Sequence, residues 1–194
     1  MTIEFAYAQA RVQARLGERL APAAWQVLDA SGSLSQYLHA ARTTALRHRV
    51  QSLTAASSPH MIERSLRREW RAEVAGVAGW VPEPWRPAIE WTAWLCDLPA
   101  LAALGRGGEI LPWMAEDTAL APFAVGDAAI RQREIDAAGL GALSSRDDML
   151  AAWRHRFELL WPAGDRDRRR LEDFMDRVDG HRDEPVPAEG TQVS

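Results

Sequence analysis

Lysine is absent from this 194-residue chain, and all 23 of its basic residues are arginine. Without lysine the chain supplies neither the amine of a Schiff base nor the lysine of a phosphate-binding P-loop. Cys96 is the single cysteine, so an internal disulfide cannot form. That disfavours the class of secreted domains held together by disulfides.

Long apolar runs are also missing. No stretch approaches the roughly 18 apolar residues of a membrane-spanning helix. The first residues, Met1 to Glu4, lack the positive flank and the apolar run of a signal peptide. We therefore expect a cytoplasmic protein that reaches a membrane only through a partner.

Common catalytic motifs do not occur. The glycine-rich nucleotide-binding patterns and the G-x-S-x-G pattern of serine hydrolases are absent, and His39, His48 and His60 are too far apart for a helical zinc motif. The sequence predicts a protein that is not an enzyme and holds no cofactor or metal. An enzyme whose site gathers these histidines with carboxylates from distant segments is a third possibility.

What the chain does have is dense helical patterning with almost no strand signal, which predicts an all-α fold of short helices. Ser33 and Ser58 are candidate helix caps, and Pro59 suits a first helical turn. The predicted helices cover 3–20, 22–30, 34–41, 59–80, 84–96, 98–104, 128–138, 147–161 and 165–178, with a short helical piece near 113–120.

The segment 84–96 is apolar on nearly every side, which predicts a core position around which the other helices pack. Pro99 cannot continue that helix, and we expect the Asp97 carboxylate to cap the next one. Tryptophans on apolar stripes are predicted to fill the core, whereas Trp113 and two others beside prolines are predicted to be partly exposed. The core set is Trp70, Trp91, Trp94 and Trp153.

Glycine and proline suggest where the chain divides. Gly105 to Gly108 contains three glycines and is the best internal linker, so we predict an N-terminal helical region over 1–105 and a C-terminal helical region over 109–179. The remaining residues, 180–194, carry prolines and glycine and are predicted to be a disordered tail.

Charge is uneven along the chain. Residues 1–75 hold ten arginines and six acids, a balance of +4, whereas residues 76–194 hold thirteen arginines and twenty-one acids, a balance of −8. The overall charge of −4 argues against a nucleic-acid binder. One helical face concentrates arginine: Arg64, Arg67, Arg68 and Arg71. It is either a docking patch for an acidic protein partner or a solvated face with charges of both signs.

Two helical segments occur in a recognisable order. Residues 7–12 read Tyr-Ala-Gln-Ala-Arg-Val, and later a charged amphipathic helix precedes an apolar helix that ends at Asp97 before a short helix. Over residues 5–106 the chain resembles the V-type ATPase C-subunit family (the d-subunit of the eukaryotic complex), whose members begin with a helix of the form Tyr-x-x-Ala-Arg-Val. The resemblance implies a shortened relative of this family, and Pro99 to Leu101 stand where family members often carry asparagine.

The resemblance implies a mechanical role. Family members form a helical funnel that sits on the membrane rotor ring and receives the central stalk, so this chain is expected to be a non-catalytic coupling subunit in proton transport. Its expected partners are the ATPase stalk subunits and the rotor ring, without nucleic acid and without direct membrane insertion. The alternative is a helical adaptor or regulator that binds an unrelated protein through the arginine-rich helix.

Overall fold

The computed structural model describes residues 3–141 and 146–162. These residues contain nine α-helices, and none of them lies in a β-strand. The prediction of an all-α fold is therefore confirmed for the part of the chain that is described. The α-helices are α1 (Ile3–Gly17), α2 (Pro22–Asp29), α3 (Leu34–Arg42), α4 (Pro59–Ala78), α5 (Arg86–Trp91), α6 (Leu98–Gly105), α7 (Pro112–Glu116), α8 (Ala128–Ala137) and α9 (Arg146–Leu160).

Short polar side chains begin three of these helices. Ser33 Oγ accepts a hydrogen bond from the backbone N–H of Gln36 at 3.3 Å, and Ser58 Oγ accepts one from Met61 at 3.3 Å. Both contacts satisfy an N–H group that a first helical turn leaves unpaired, so the two predicted caps are confirmed. Asp127 caps α8 in the same way.

The N-terminal half has a small core of its own. Leu28 of α2, Leu38 and Ala41 of α3, and Val50 and Leu53 after the 3₁₀ turn Ala45–His48 are all buried together. Partly buried neighbours, including Ile62 of α4, close this cluster. The cluster therefore joins α2 and α3 to the first turn of the longest helix.

A pair of tryptophans joins α5 to α9. Trp91 Nε1 donates to the carbonyl of Trp153 at 2.9 Å, and Trp153 Nε1 donates to the carbonyl of Trp91 at 3.1 Å. Trp153 is 1% exposed, and its ring stacks on Phe157 with centroids 5.2 Å apart. Both indole N–H groups are therefore satisfied inside the protein, as a buried tryptophan requires.

The prediction of one continuous helix over 84–96 is wrong. The structure divides it into a 3₁₀ turn (Glu83–Trp85), α5, and a second 3₁₀ turn (Thr92–Cys96). Trp91 and Trp94 are half-buried rather than central, because the segment changes direction instead of presenting one continuous face. Trp70 is 37% exposed, so its predicted core role is also wrong.

All nine described α-helices belong to one compact unit, which ends at Trp161. Within that unit α6 packs against α9, although the predicted linker at 105–108 separates them. The division into the regions 1–105 and 109–179 stays a prediction. The predicted helix over 165–178 and the tail over 180–194 lie outside the described residues.

The first helix, α1, contacts two tryptophans that follow α4. Phe5 meets Trp85 edge to face at 5.3 Å, and Arg11 lies over the Trp80 ring at 4.9 Å. Ala8 is buried, whereas apolar positions such as Tyr7 remain exposed. Among the described residues, no helix is both long enough and apolar enough to cross a bilayer.

We expect Trp153→Ala to lower the free energy of unfolding by about 3–5 kcal/mol, because it leaves a cavity and removes the hydrogen bond that the Trp153 indole donates to the Trp91 carbonyl. Urea denaturation followed by circular dichroism measures the change. Trp25→Ala is the matched control: Trp25 is 44% exposed, and its loss should cost less than about 1 kcal/mol. Equal costs at the two positions would contradict the assigned core.

Candidate functional site

Two of the predicted docking arginines point into the protein. Arg67 and Arg71 share a face of α4 with Val74 and Ala78, and the last two are buried. Their spacing of four, three and four residues follows one side of a helix. The buried face of α4 therefore includes two guanidinium groups.

Asp97 is the centre of the network that receives these arginines. Its Oδ1 lies 2.7 Å from Arg67 Nη1, and its Oδ2 lies 2.8 Å from Arg71 Nη2. The Asp97 side chain is 1% exposed, so each of its oxygens is paired where water does not reach it. A buried carboxylate is tolerated only with such partners.

Asp117 supplies the second buried carboxylate. Its Oδ2 lies 2.6 Å from Arg71 Nη1, while its Oδ1 accepts backbone N–H groups of Ala119 at 3.0 Å and Leu120 at 3.2 Å. The same side chain therefore shapes the turn after α7 and fixes Arg71. Arg71 bridges two aspartates that are 20 residues apart in the sequence.

Arg67 makes three further contacts. Its Nε donates to Glu63 Oε2 at 3.1 Å, and its Nη1 also donates to the Cys96 carbonyl. The guanidinium carbon lies 4.7 Å from the ring centroid of Trp113, a cation–π geometry. Trp113 is 4% exposed, so its predicted partial exposure is wrong: the arginine covers one face of its ring.

We name Arg67, Arg71, Asp97 and Asp117 the Arg–Asp network. Its two positive and two negative charges cancel. Burial alone would lower the pKa of Arg71, but its hydrogen bonds to Asp117 and Asp97 and the charges of those carboxylates raise that pKa above its ordinary value. Arg71 therefore stays charged at neutral pH.

Cys96 lies beside the network without joining it as a reactive group. Burial and the charge of Asp97 raise the pKa of its thiol to about 12, against the opposing effect of Arg67 and Arg71. The Sγ atom donates to the carbonyl of Ala93 at 3.3 Å. At neutral pH the thiol is therefore protonated and a weak nucleophile.

The remaining two predicted arginines face outward. Arg64 pairs with Glu116 of α7, and both side chains are exposed. Arg68 is exposed, and no carboxylate within the described residues lies within ion-pair distance of it. The structure therefore divides the predicted set into an internal pair and an external pair, and partner docking by these arginines stays a prediction.

Asp97 was predicted to cap α6, and this is wrong. It occupies the N-cap position, but its side chain accepts no hydrogen bond from the helix, because both oxygens bind arginine. Sequence reasoning missed the network although a signal existed. Asp97 is the only charged residue between Glu90 and Arg106, and a lone carboxylate in such a stretch needs a cation.

A groove lies away from this network, between α1, α2, the 3₁₀ turn Ala45–His48 and α4. We name it the α1–α4 groove; its volume is about 650 Å³. Glu73 of α4 forms one ion pair with Arg15 of α1 at 3.2 Å and another with Arg49 at 3.3 Å. These pairs hold the two helices at the sides of the groove.

No protein-family model, curated protein or solved structure matches this chain. Its function is therefore inferred from its own residues. Within residues 3–141 and 146–162, no three histidine, cysteine or acidic side chains are grouped to hold a metal ion.

We expect Asp97→Asn to lower the free energy of unfolding by about 3 kcal/mol, because it leaves two largely buried guanidiniums without a counter-charge. Urea denaturation measures the loss. Glu116→Gln is the matched control, since it breaks an exposed pair with Arg64 and should cost less than about 1 kcal/mol. A cost for Asp97→Asn no larger than that of the control contradicts the network's role.

The Cys96 thiol reports on the same charges. With its pKa near 12 rather than 9.0, we expect alkylation by iodoacetamide at pH 8 to be about 50-fold slower than in urea, where the thiol is free. Asp97→Asn removes a charge that raises this pKa and should speed the reaction. Asp117→Asn weakens the network without acting on Cys96, so equal acceleration by both variants would indicate unfolding instead.

Proposed function

We propose that this chain is a non-catalytic adaptor that binds an α-helix of a partner protein in the α1–α4 groove. The observation that carries the proposal is an apolar surface left open on α1 and α2. Leu16 and Trp25 are each 44% exposed and both line the groove, and Val12 joins them from α1. Clustered apolar surface of this kind marks interaction sites on proteins.

The edges of the groove explain why a helix suits it. Arg19 and Glu69 of α4 line the same groove, so charges of both signs accompany its apolar side chains. An amphipathic helix fits such a surface, with apolar side chains at every third or fourth position against the floor and charged ones at the rim. The internal Arg–Asp network keeps α4 in place while the outer surface binds.

A narrower form of the proposal is the coupling subunit of a rotary ATPase. Its support is the resemblance over residues 5–106, together with the exposure of Tyr7 on the matching helix α1. In that case the partner helix belongs to the central stalk, and proton transport depends on the contact. Asp97, the acidic residue of the resemblance, would support such a role only by stabilising the helical body.

A photo-crosslinking amino acid at position 16 tests the groove in extracts of the native cell. We expect it to capture a defined partner, whereas the same group at position 159 of α9 captures none, although Leu159 is 64% exposed. With that partner purified, Leu16→Glu should weaken binding at least about 10-fold, because it places a charge on the apolar floor, and Leu159→Glu should not.

Equal capture at positions 16 and 159 would contradict the adaptor proposal. Purified stalk subunits and rotor ring then test the narrower form. If neither binds and position 16 captures a different partner, the rotary ATPase role is contradicted. The adaptor proposal then still stands.

A further inference from the structure

Among the described residues, a second cavity of about 330 Å³ is lined by four side chains that can all donate hydrogen bonds: Arg42, Arg47, His48 and Gln51. We name it the basic pocket. It lies where the end of α3 meets the 3₁₀ turn Ala45–His48. Within residues 3–141 and 146–162, neither an acidic nor an apolar side chain lines this pocket, which distinguishes it from the α1–α4 groove, although His48 borders both.

The sequence around the pocket contains no carboxylate. Between Asp29 and Glu63 there is neither aspartate nor glutamate, yet this stretch holds three arginines and three of the five histidines. Arginines elsewhere, such as Arg64 and Arg71, pair with carboxylates. Arg42 and Arg47 have no carboxylate within ion-pair distance among the described residues. Their charges are therefore available to an anion from outside.

Each of the two arginines, although exposed, donates a hydrogen bond to a neighbouring group of the same chain. Arg42 Nη2 donates to the carbonyl of the buried Leu53 at 2.6 Å, which anchors one corner of its guanidinium to the N-terminal core. Arg47 Nε donates to His48 Nε2 at 3.1 Å. That contact leaves the Nη groups of Arg47 and the Nδ1 side of His48 for a ligand. Such positioning lowers the entropy that binding would otherwise cost.

From this geometry we infer that the basic pocket binds a phosphate group. A phosphate monoester brings close to two negative charges and three acceptor oxygens, which match two guanidiniums, an imidazole and an amide. A carboxylate brings one charge and two oxygens, and it leaves donors unused. The phosphate comes either from a small soluble phosphate ester or from a lipid headgroup with a terminal phosphate.

Isothermal titration of the full chain with inorganic phosphate, in a buffer free of other oxyanions, tests the site. We expect saturable binding to a single site. Arg47→Ala should weaken it about 10- to 100-fold, the usual effect of losing a charged hydrogen-bond donor. Gln51→Glu is the second variant: it keeps the size of an exposed side chain, places a negative charge in the pocket and should abolish binding.

Arg106→Ala is the matched control, because Arg106 is an exposed arginine on the turn after α6 and lies outside the pocket. It should bind phosphate as the wild type does. Flotation with phosphatidylcholine vesicles that contain phosphatidic acid forms the second arm. Vesicle binding that Gln51→Glu abolishes supports the pocket and identifies a headgroup as the source, even where inorganic phosphate binds too weakly to titrate.

Two results would overturn the inference. One is the absence of saturable binding in both arms. The other is binding to phosphate, to vesicles or only to single-stranded RNA that the Gln51→Glu and Arg106→Ala variants weaken to the same extent. Equal weakening by the two variants indicates general attraction to an arginine-rich surface. Neither result depends on the partner helix of the α1–α4 groove, so the two proposals fail separately.

Discussion

Two buried aspartates and the arginines that pair with them determine how the helices of this protein are arranged. Asp97 is buried at 1% exposure, and its two oxygens bind Arg67 and Arg71 of α4. An isolated buried carboxylate costs far more than a domain of this size can tolerate, so the helices must meet in the one arrangement that pairs it. Asp117 adds a second such requirement from the segment after α7. Apolar packing makes the protein compact, whereas these four charges specify how α4 lies against its neighbours.

Arginine is suited to this network in a way that lysine is not. Arg71 reaches Asp97 with one terminal nitrogen and Asp117 with the other, and Arg67 contacts a carboxylate, a backbone carbonyl and an aromatic face. A planar guanidinium offers five N–H donors in fixed directions, whereas an ammonium group is a compact point charge. Arginine therefore serves the network better than lysine would at these two positions, whereas the lack of lysine elsewhere reflects a general bias in composition.

Much of the fold could be predicted from local signals. Ser33, Ser58 and Pro59 marked helix starts because capping is decided by the nearest few residues. The direction in which α4 faces could not be read locally, since it depends on Asp97 and Asp117, which lie 26 and 46 residues beyond Arg71. A pattern that counts only apolar residues assigns every arginine to solvent. Trp113 was predicted to be partly exposed because it lies beside a proline, and that local signal does not show that Arg67 covers its ring.

The paired hydrogen bonds between Trp91 and Trp153 span 62 residues of chain. During synthesis, the Arg–Asp network has all its members once residue 117 has left the ribosome, but Trp91 still lacks its acceptor and its donor at that stage. Chain closure over such a separation is also entropically costly. The nascent protein thus leaves the Trp91 side of α5 without its partner until α9 has emerged.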